Sequence, residues 1–175
     1  MKILVTGSNG LLGQKLSAVL QSQPNIDPIF TARKPLTYPV IKGRFVTLDV
    51  CQQDSVQEVI RQSMPNVIIH TAAMTQVDDC ETQKEECWKQ NVLATGFLVE
   101  ASGQAGCHFI HISTDFIFDG KTGPLDESAV PNPVNYYGES KLAAETIVRK
   151  SISPWAILRT VLVRSEERRV GKECA

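Results

Sequence analysis

Apolar residues fall along this chain in short runs, separated by amphipathic stretches of a different period. Lys2-Ile3-Leu4-Val5-Thr6 is a brief apolar run that meets glycine at once, as a strand buried on both faces of a parallel sheet should. Between Leu11 and Leu20, residues Leu12, Leu16, Val19 and Leu20 recur at helical spacing, which predicts strand, turn and helix in that order. Pro24 and Asn25 end the helix, and Pro28-Ile29-Phe30-Thr31 predicts a second strand. Phe45-Val46-Thr47-Leu48 predicts a third. Asp54 is placed as the N-cap of a helix carrying Val56, Val59 and Ile60 and stopping near Pro65. Val67-Ile68-Ile69-His70 is the fourth strand, a long helix is expected from Cys87 to Ser102 with its end near Gly103, and His108-Phe109-Ile110-His111-Ile112 is the fifth strand. A loop holding Gly120, Gly123, Pro124, Pro131 and Pro133 then leads to a helix from about Tyr136 to Lys150. Ala156-Ile157-Leu158 begins a sixth strand.

Six apolar strands alternating with helices predict an α/β fold, a Rossmann-type doubly wound parallel sheet with strand order 3-2-1-4-5-6. Right-handed crossovers place a ligand at the carboxyl ends of the strands, where the first strand neighbours the fourth. A length of 175 residues suits one such domain and is short for two. A net charge of −1 gives no general excess of the basic residues that nucleic-acid phosphates require, so no nucleic-acid partner is expected. No apolar run approaches the roughly 20 residues of a membrane helix, and the N-terminus lacks the features of a secretory signal. Five cysteines, without a C-x-x-C pair, read as reduced thiols in a cytoplasmic protein.

Candidate chemistry begins at Thr6-Gly7-Ser8-Asn9-Gly10-Leu11-Leu12-Gly13, a G-x-x-G-x-x-G turn between the first strand and first helix. Small residues let the backbone approach a pyrophosphate, and the helix start supplies unpaired N–H groups. A tight turn without a ligand is the alternative. A site for NAD usually places an acid after the second strand, but here Ala32-Arg33-Lys34 carries two cations. NADPH is therefore preferred, with Arg33 or Lys34 pairing with its 2′-phosphate; NADH stays open, as does a solvated role for both cations. Asp49 and Val50, past the third strand, are placed either beside adenine or in a plain strand-end turn. In Tyr137-Gly138-Glu139-Ser140-Lys141 the phenol and the ammonium share one helix face, and a nearby cation favours phenolate. Ser113-Thr114-Asp115 ends the fifth strand, where such a sheet presents reactive groups. A surface tyrosine packed on a lysine stem is the plainer alternative.

With these motifs in place, the sequence resembles the extended short-chain dehydrogenase/reductase family, and within it the dTDP-4-dehydrorhamnose reductases and related sugar-nucleotide reductases. The resemblance rests on Val5-Thr6-Gly7 through Gly13, Thr71-Ala72-Ala73-Met74-Thr75 with Val77-Asp78, Ser113-Thr114-Asp115-Phe116-Ile117-Phe118-Asp119-Gly120, Pro133 through Glu145, and Leu158-Arg159-Thr160. It implies that Tyr137 protonates a C4 keto oxygen as NADPH delivers hydride. It also implies that Lys141 holds the nicotinamide ribose and lowers the tyrosine pKa, and that Thr114 binds the same carbonyl with Asp115 near the sugar. Gly10, Leu11 and Leu12 would lie under the pyrophosphate, and Ala73, Met74 and Thr75 along the cofactor. The implied partner is a small-molecule nucleotide sugar. The resemblance leaves room for two other functions, a sugar-nucleotide epimerase and a non-catalytic regulator like the regulatory subunit of methionine adenosyltransferase.

Two departures qualify the match. Val161-Leu162-Val163 follows Arg159-Thr160 where the family commonly has Ser-Trp, so an aromatic at Leu162 is missing or replaced. From Arg164 to Glu173, seven charges fall in ten positions, and the segment resembles a translated sequencing-library adapter. Residues 164–175 are thus expected to be a non-native tail, residues 1–163 the cofactor domain, and the substrate lobe missing, with any homo-oligomer belonging to a full-length parent. No metal is expected: His108 and His111, three apart on a strand, face opposite ways and read as core and strand-end histidines. Cys80 and Cys87, taken on one helix, are too far apart for a disulfide. The acidic run Asp78-Asp79-Cys80-Glu81 suits a helix start, with Asp78 a candidate for the site edge.

Overall fold

The computed structural model describes residues 1–161, so Leu162, Val163 and the 164–175 tail lie outside the described residues. Its six strands are β1 (Lys2–Thr6), β2 (Asp27–Ala32), β3 (Arg44–Thr47), β4 (Val67–His70), β5 (His108–Thr114) and β6 (Trp155–Thr160). They form one sheet in the order β3-β2-β1-β4-β5-β6, every neighbouring pair parallel. This is the expected Rossmann-type order, with β1 and β4 adjacent at its centre.

Alternation along the central strands divides the core between the two faces. Ile3, Val5 and Phe30 pack with Leu20 of α1 (Leu11–Ser22), and Val67 and Ile69 add to that face. Leu4, Ile29, Ile68 and Phe109 point the other way, onto Val56 and Ile60 of α2 (Gln53–Ser63) and Leu98 and Val99 of α5 (Ala94–Ala105). Val148 of α6 (Tyr136–Arg149) closes the second core. Strands clothed on both faces explain the near-continuous apolar runs. Among the described residues no helix is long and apolar enough to cross a membrane.

Several boundaries differ from expectation, each for a local reason. The second helix begins at Gln53, capped by Gln52 without a side-chain bond, and Asp54 lies inside its first turn rather than at the N-cap. There it still complements the helix dipole. The long helix starts earlier, as α4 (Lys84–Trp88), passes through a π-helical turn (Lys89–Leu93), and continues as α5. It runs through Gly103 and stops where Gly106 takes a left-handed conformation (φ 65°) as its cap. The acidic run does open a helix, α3 (Val77–Thr82), but Gln83 separates α3 from α4, so Cys80 and Cys87 belong to different helices.

Phe109 is fully buried and packs its ring 6.0 Å from that of His70 and 6.5 Å from that of His111. Phe109→Ala is expected to lower the unfolding free energy by about 3–5 kcal/mol in urea denaturation. A loss below about 1 kcal/mol would show that this core face collapses around the gap.

Candidate active site

The turn after β1 is built by close backbone approach. Gly7 is left-handed (φ 69°), and a Cβ there would lie 2.7 Å from the Ala72 nitrogen; a Cβ on Gly13 would lie 2.3 Å from the Gly7 carbonyl oxygen. Any larger side chain would force α1 away from β1 and β4. Gly10 is the N-cap, and no side chain caps the helix. The first-turn N–H groups, those of Leu11, Leu12 and Gly13 among them, are thereby left for an anion, which fits a dinucleotide pyrophosphate. The turn is pinned to β2: Ser8 donates its N–H to the Thr31 carbonyl (3.0 Å), and the Ser8 hydroxyl accepts from the Thr31 N–H (3.2 Å). Asn9 donates to the Lys34 and Pro35 carbonyls (3.2 and 3.1 Å), which ties the exposed Arg33-Lys34 segment beside the glycines. Past β3, the Asp49 carboxylate accepts from the Cys51 N–H (3.0 Å) and so closes its own strand-end turn, while Val50 packs on the core.

Beyond Ile112, β5 continues through Ser113 and Thr114 and then tightens into a 3-10 turn, Asp115–Ile117. The Thr114 hydroxyl accepts from the Phe116 N–H (3.2 Å) and donates to the Asp115 carboxylate (3.1 Å). Asn135 caps α6 by accepting from the Gly138 N–H (2.8 Å). A Cβ on Gly138 would lie 2.2 Å from the Phe116 carbonyl oxygen, so glycine lets α6 close on this turn. Tyr137 is thereby buried beside Thr114, and Phe116 stands edge-on at 5.8 Å. Burial pushes the phenol above its ordinary pKa of 10, and the neighbouring Thr114 side chain partly opposes the rise.

The expected lowering of that pKa by Lys141 is not found. Lys141 is buried, and its ammonium is engaged beneath the site, donating to the Ile112 carbonyl (2.8 Å) and lying 3.3 Å from His111 Nε2. Desolvation brings its pKa from 10.5 down to about 8, against the opposing pull of Glu145 and Cys87. Desolvation also holds the Tyr137 phenol protonated, because a buried phenolate is disfavoured more than the neighbouring Thr114 side chain can offset.

The loop after β4, holding Ala73, Met74 and Thr75, is fixed by a residue that periodicity did not single out. Asn91, in the π-helical turn, accepts from the Met74 N–H (2.8 Å) and donates to the Met74 carbonyl (3.0 Å) and the Ser140 hydroxyl (2.9 Å). One carboxamide thus joins the β4 loop to the helix carrying Tyr137 and Lys141. His70 was also passed over: its Nδ1 faces the Thr6 hydroxyl (2.7 Å) and its Nε2 the Thr95 hydroxyl (3.3 Å). Thr95 donates to the Asn91 carbonyl (2.7 Å), so His70 is the donor to Thr95 and Thr6 the donor to His70. Asn91 and Thr95, four apart within an apolar helix, were the available signal. Met74, Cys80, Cys87 and Tyr137 pack together although Cys80 and Cys87 lie on different helices. Cys51, Cys80, Cys87 and Cys107 are unbridged.

For Lys141, the folded pKa lies below the unfolded one, so its charge costs stability at neutral pH and that cost fades as pH rises past about 8. Lys141→Met is expected to be more stable than the parent chain at neutral pH, with the advantage shrinking by about 2 kcal/mol between about pH 7 and 9.5. Urea denaturation at the two pH values checks this. A pH-independent difference would contradict the desolvated lysine.

The arrangement has clear relatives. A family model described as the RmlD substrate binding domain matches residues 1–171. Methionine adenosyltransferase 2 subunit beta of Danio rerio is 34% identical over 169 residues, which cover 97% of this chain and 50% of that protein. A crystal structure of a dTDP-4-dehydrorhamnose reductase from Clostridium acetobutylicum superposes with a TM-score of 0.82 at 30% identity, covering 95% of this chain and 55% of that one. A dTDP-4-dehydrorhamnose reductase from Bacillus anthracis, solved in complex with NADP, gives a TM-score of 0.77 at 27% identity over 99% of this chain and 60% of that one. The chain spans about half the length of these relatives. With its sheet order, its glycine turn and the Thr114–Tyr137–Lys141 edge all present, the chain belongs to the RmlD substrate-binding-domain family.

Proposed function

We propose that this chain is the cofactor-binding and proton-donating part of an NADPH-dependent reductase acting on the C4 keto group of a nucleotide-activated deoxysugar. The observation that carries the reading is the buried Tyr137 phenol beside Thr114 at the carboxyl end of β5. Family membership and the NADP complex of a relative support a nicotinamide dinucleotide and a sugar-nucleotide substrate class.

The uncapped first turn of α1 suits the pyrophosphate, Arg33 the 2′-phosphate, and Ala73, Met74 and Thr75 the path of the cofactor from one end of the β4 loop to the other. Asp49 and Val50 are assigned to the adenine side. The chemistry that a nicotinamide supplies when bound is a hydride to a carbonyl carbon. Tyr137, kept protonated by burial, gives its proton to the developing alkoxide, and Thr114 orients the same oxygen. Lys141 supplies a positive charge and N–H donors at the nicotinamide ribose, and Asp115 faces the sugar. A phenol whose pKa is raised suits this direction of proton flow better than a ready phenolate.

A second reading, a non-catalytic nucleotide-binding regulator, draws on the similarity to methionine adenosyltransferase 2 subunit beta. Titrating NADPH and NADH into the chain, followed by an assay of dTDP-4-keto sugar reduction, separates the two. We expect tighter binding of NADPH, a loss of roughly tenfold in that preference for Arg33→Ala, and little or no turnover by this chain alone. Fusing the chain to the remaining half of a dTDP-4-dehydrorhamnose reductase relative is expected to bring turnover, and Tyr137→Phe in that fusion to remove it by a factor of about 10² or more with NADPH affinity kept. NADPH binding without turnover in that fusion would favour the regulator. Robust turnover by the 175-residue chain would refute the need for a further lobe.

A further inference from the structure

Two buried histidines lie beneath the site and have no part in the reaction proposed above. His70 has partners for both ring nitrogens. His111 does not: it is fully buried, its Nδ1 has no hydrogen-bond partner among the described residues, and its Nε2 faces the Lys141 ammonium at 3.3 Å. The ring is held in that pose by Phe109, stacked at 6.5 Å and 15°, and by His70, tilted at 5.6 Å. Burial, and after it the charge of Lys141, holds His111 well below the ordinary histidine pKa of 6.5, so the ring is neutral at neutral pH. An ammonium has donors only. The neutral ring opposite it must therefore offer a lone pair at Nε2 and carry its proton on Nδ1.

We propose that His111 is a positioning residue for Lys141, its Nε2 accepting one ammonium N–H while the Ile112 carbonyl accepts another, so that the third points to the cofactor ribose. This rests on the reading of Lys141 as a cofactor ligand. The other groups facing the ammonium do not replace the acceptor. Glu145, one turn further along α6, is committed to Arg159 (3.0 and 2.8 Å) and lies 3.5 Å from Arg149. Cys87 of α4 bonds to Ser140 and Asn91, and His70 of β4 to two threonines. Without His111 the buried ammonium keeps one neutral acceptor, and its charged form is the less favoured. The third donor is then lost at a lower pH.

The test uses the 175-residue chain. Long-range proton–nitrogen correlation spectra of the histidine rings read the tautomer of His111 without any cofactor. A neutral ring with its proton on Nδ1 is expected; a proton on Nε2, or a ring titrating near the ordinary value, overturns the proposal. NADPH affinity is then measured by fluorescence from about pH 6 to 10 for the parent chain, His111→Leu and His111→Gln. Gln offers an oxygen near the place of Nε2, whereas Leu offers none. The parent is expected to lose affinity as pH rises through the Lys141 pKa of about 8. His111→Leu is expected to do so about one pH unit earlier, with affinity within about twofold at pH 6. His111→Gln is expected to restore the parent midpoint. Weakening by His111→Leu that is equal at every pH, or an unshifted midpoint, overturns the positioning role. A parent chain that binds no NADPH at any pH overturns the cofactor reading itself, a result that the tautomer spectra do not produce.

Discussion

A network of paired polar side chains buried at the carboxyl edge of the central strands shapes the site, although His111 Nδ1 and Ser113 Oγ of β5 stay unpaired among the described residues. Thr6 of β1, His70 of β4, Thr95 of α5 and Asn91 of the π-helical turn form one chain of donors and acceptors. Through Asn91 the chain reaches the Met74 peptide and the Ser140 hydroxyl. An unpaired member would cost about 1–3 kcal/mol, so the network admits few alternative geometries. It fixes the β4 loop against α6 and thereby aligns the two walls of the proposed cofactor site.

The widened turn at Lys89–Leu93 belongs to the same network. A regular helix would carry the Asn91 side chain to a different angle, and π-turns within helices often mark functional sites. The glycines act at a second level, by removing side-chain volume where backbones must meet. Gly13 lets α1 lie against the turn after β1, and Gly138 lets α6 lie against Phe116. The two close approaches bring the uncapped helix start and the buried tyrosine to one edge of one sheet. Charge completes the arrangement. Burial holds the phenol protonated and moves the lysine towards neutrality, so both groups are set by desolvation before any direct influence of one on the other.

Much of the fold was legible because its signals are local. Each strand is a short apolar run, each run is bounded by glycine, proline or a polar turn, and β1 and β4 were read to the residue. The strand order followed from the alternation of strands and helices. Ends were harder. Asp54 has the chemistry of an N-cap, yet Gln52 precedes the helix, because the turn at Asp49 already starts the chain upward. Gly103 suggests a stop, but a glycine within a helix is only a weak breaker, and Gly106 supplies the left-handed cap.

Of the candidate site, Gly7, Gly10, Gly13, Thr114, Tyr137 and Lys141 could be named from spacing because the sheet sends each to its carboxyl edge by strand polarity alone. Which of these residues touch was not legible. Tyr137 and Lys141 are one helical turn apart, a spacing that suggests direct electrostatic contact, but only the packed structure sends the ammonium down to Ile112 and His111 and the phenol across to Thr114. The bond of Asn91 to Met74, and the packing of Cys80 against Cys87, likewise join positions whose separation says nothing about contact. Local periodicity determined the elements and their order, since apolar burial repeats every two or 3.6 residues whatever lies beyond. The protonation states and hydrogen-bond partners were decided by tertiary structure, because desolvation and pairing depend on what other segments bring to the same buried point.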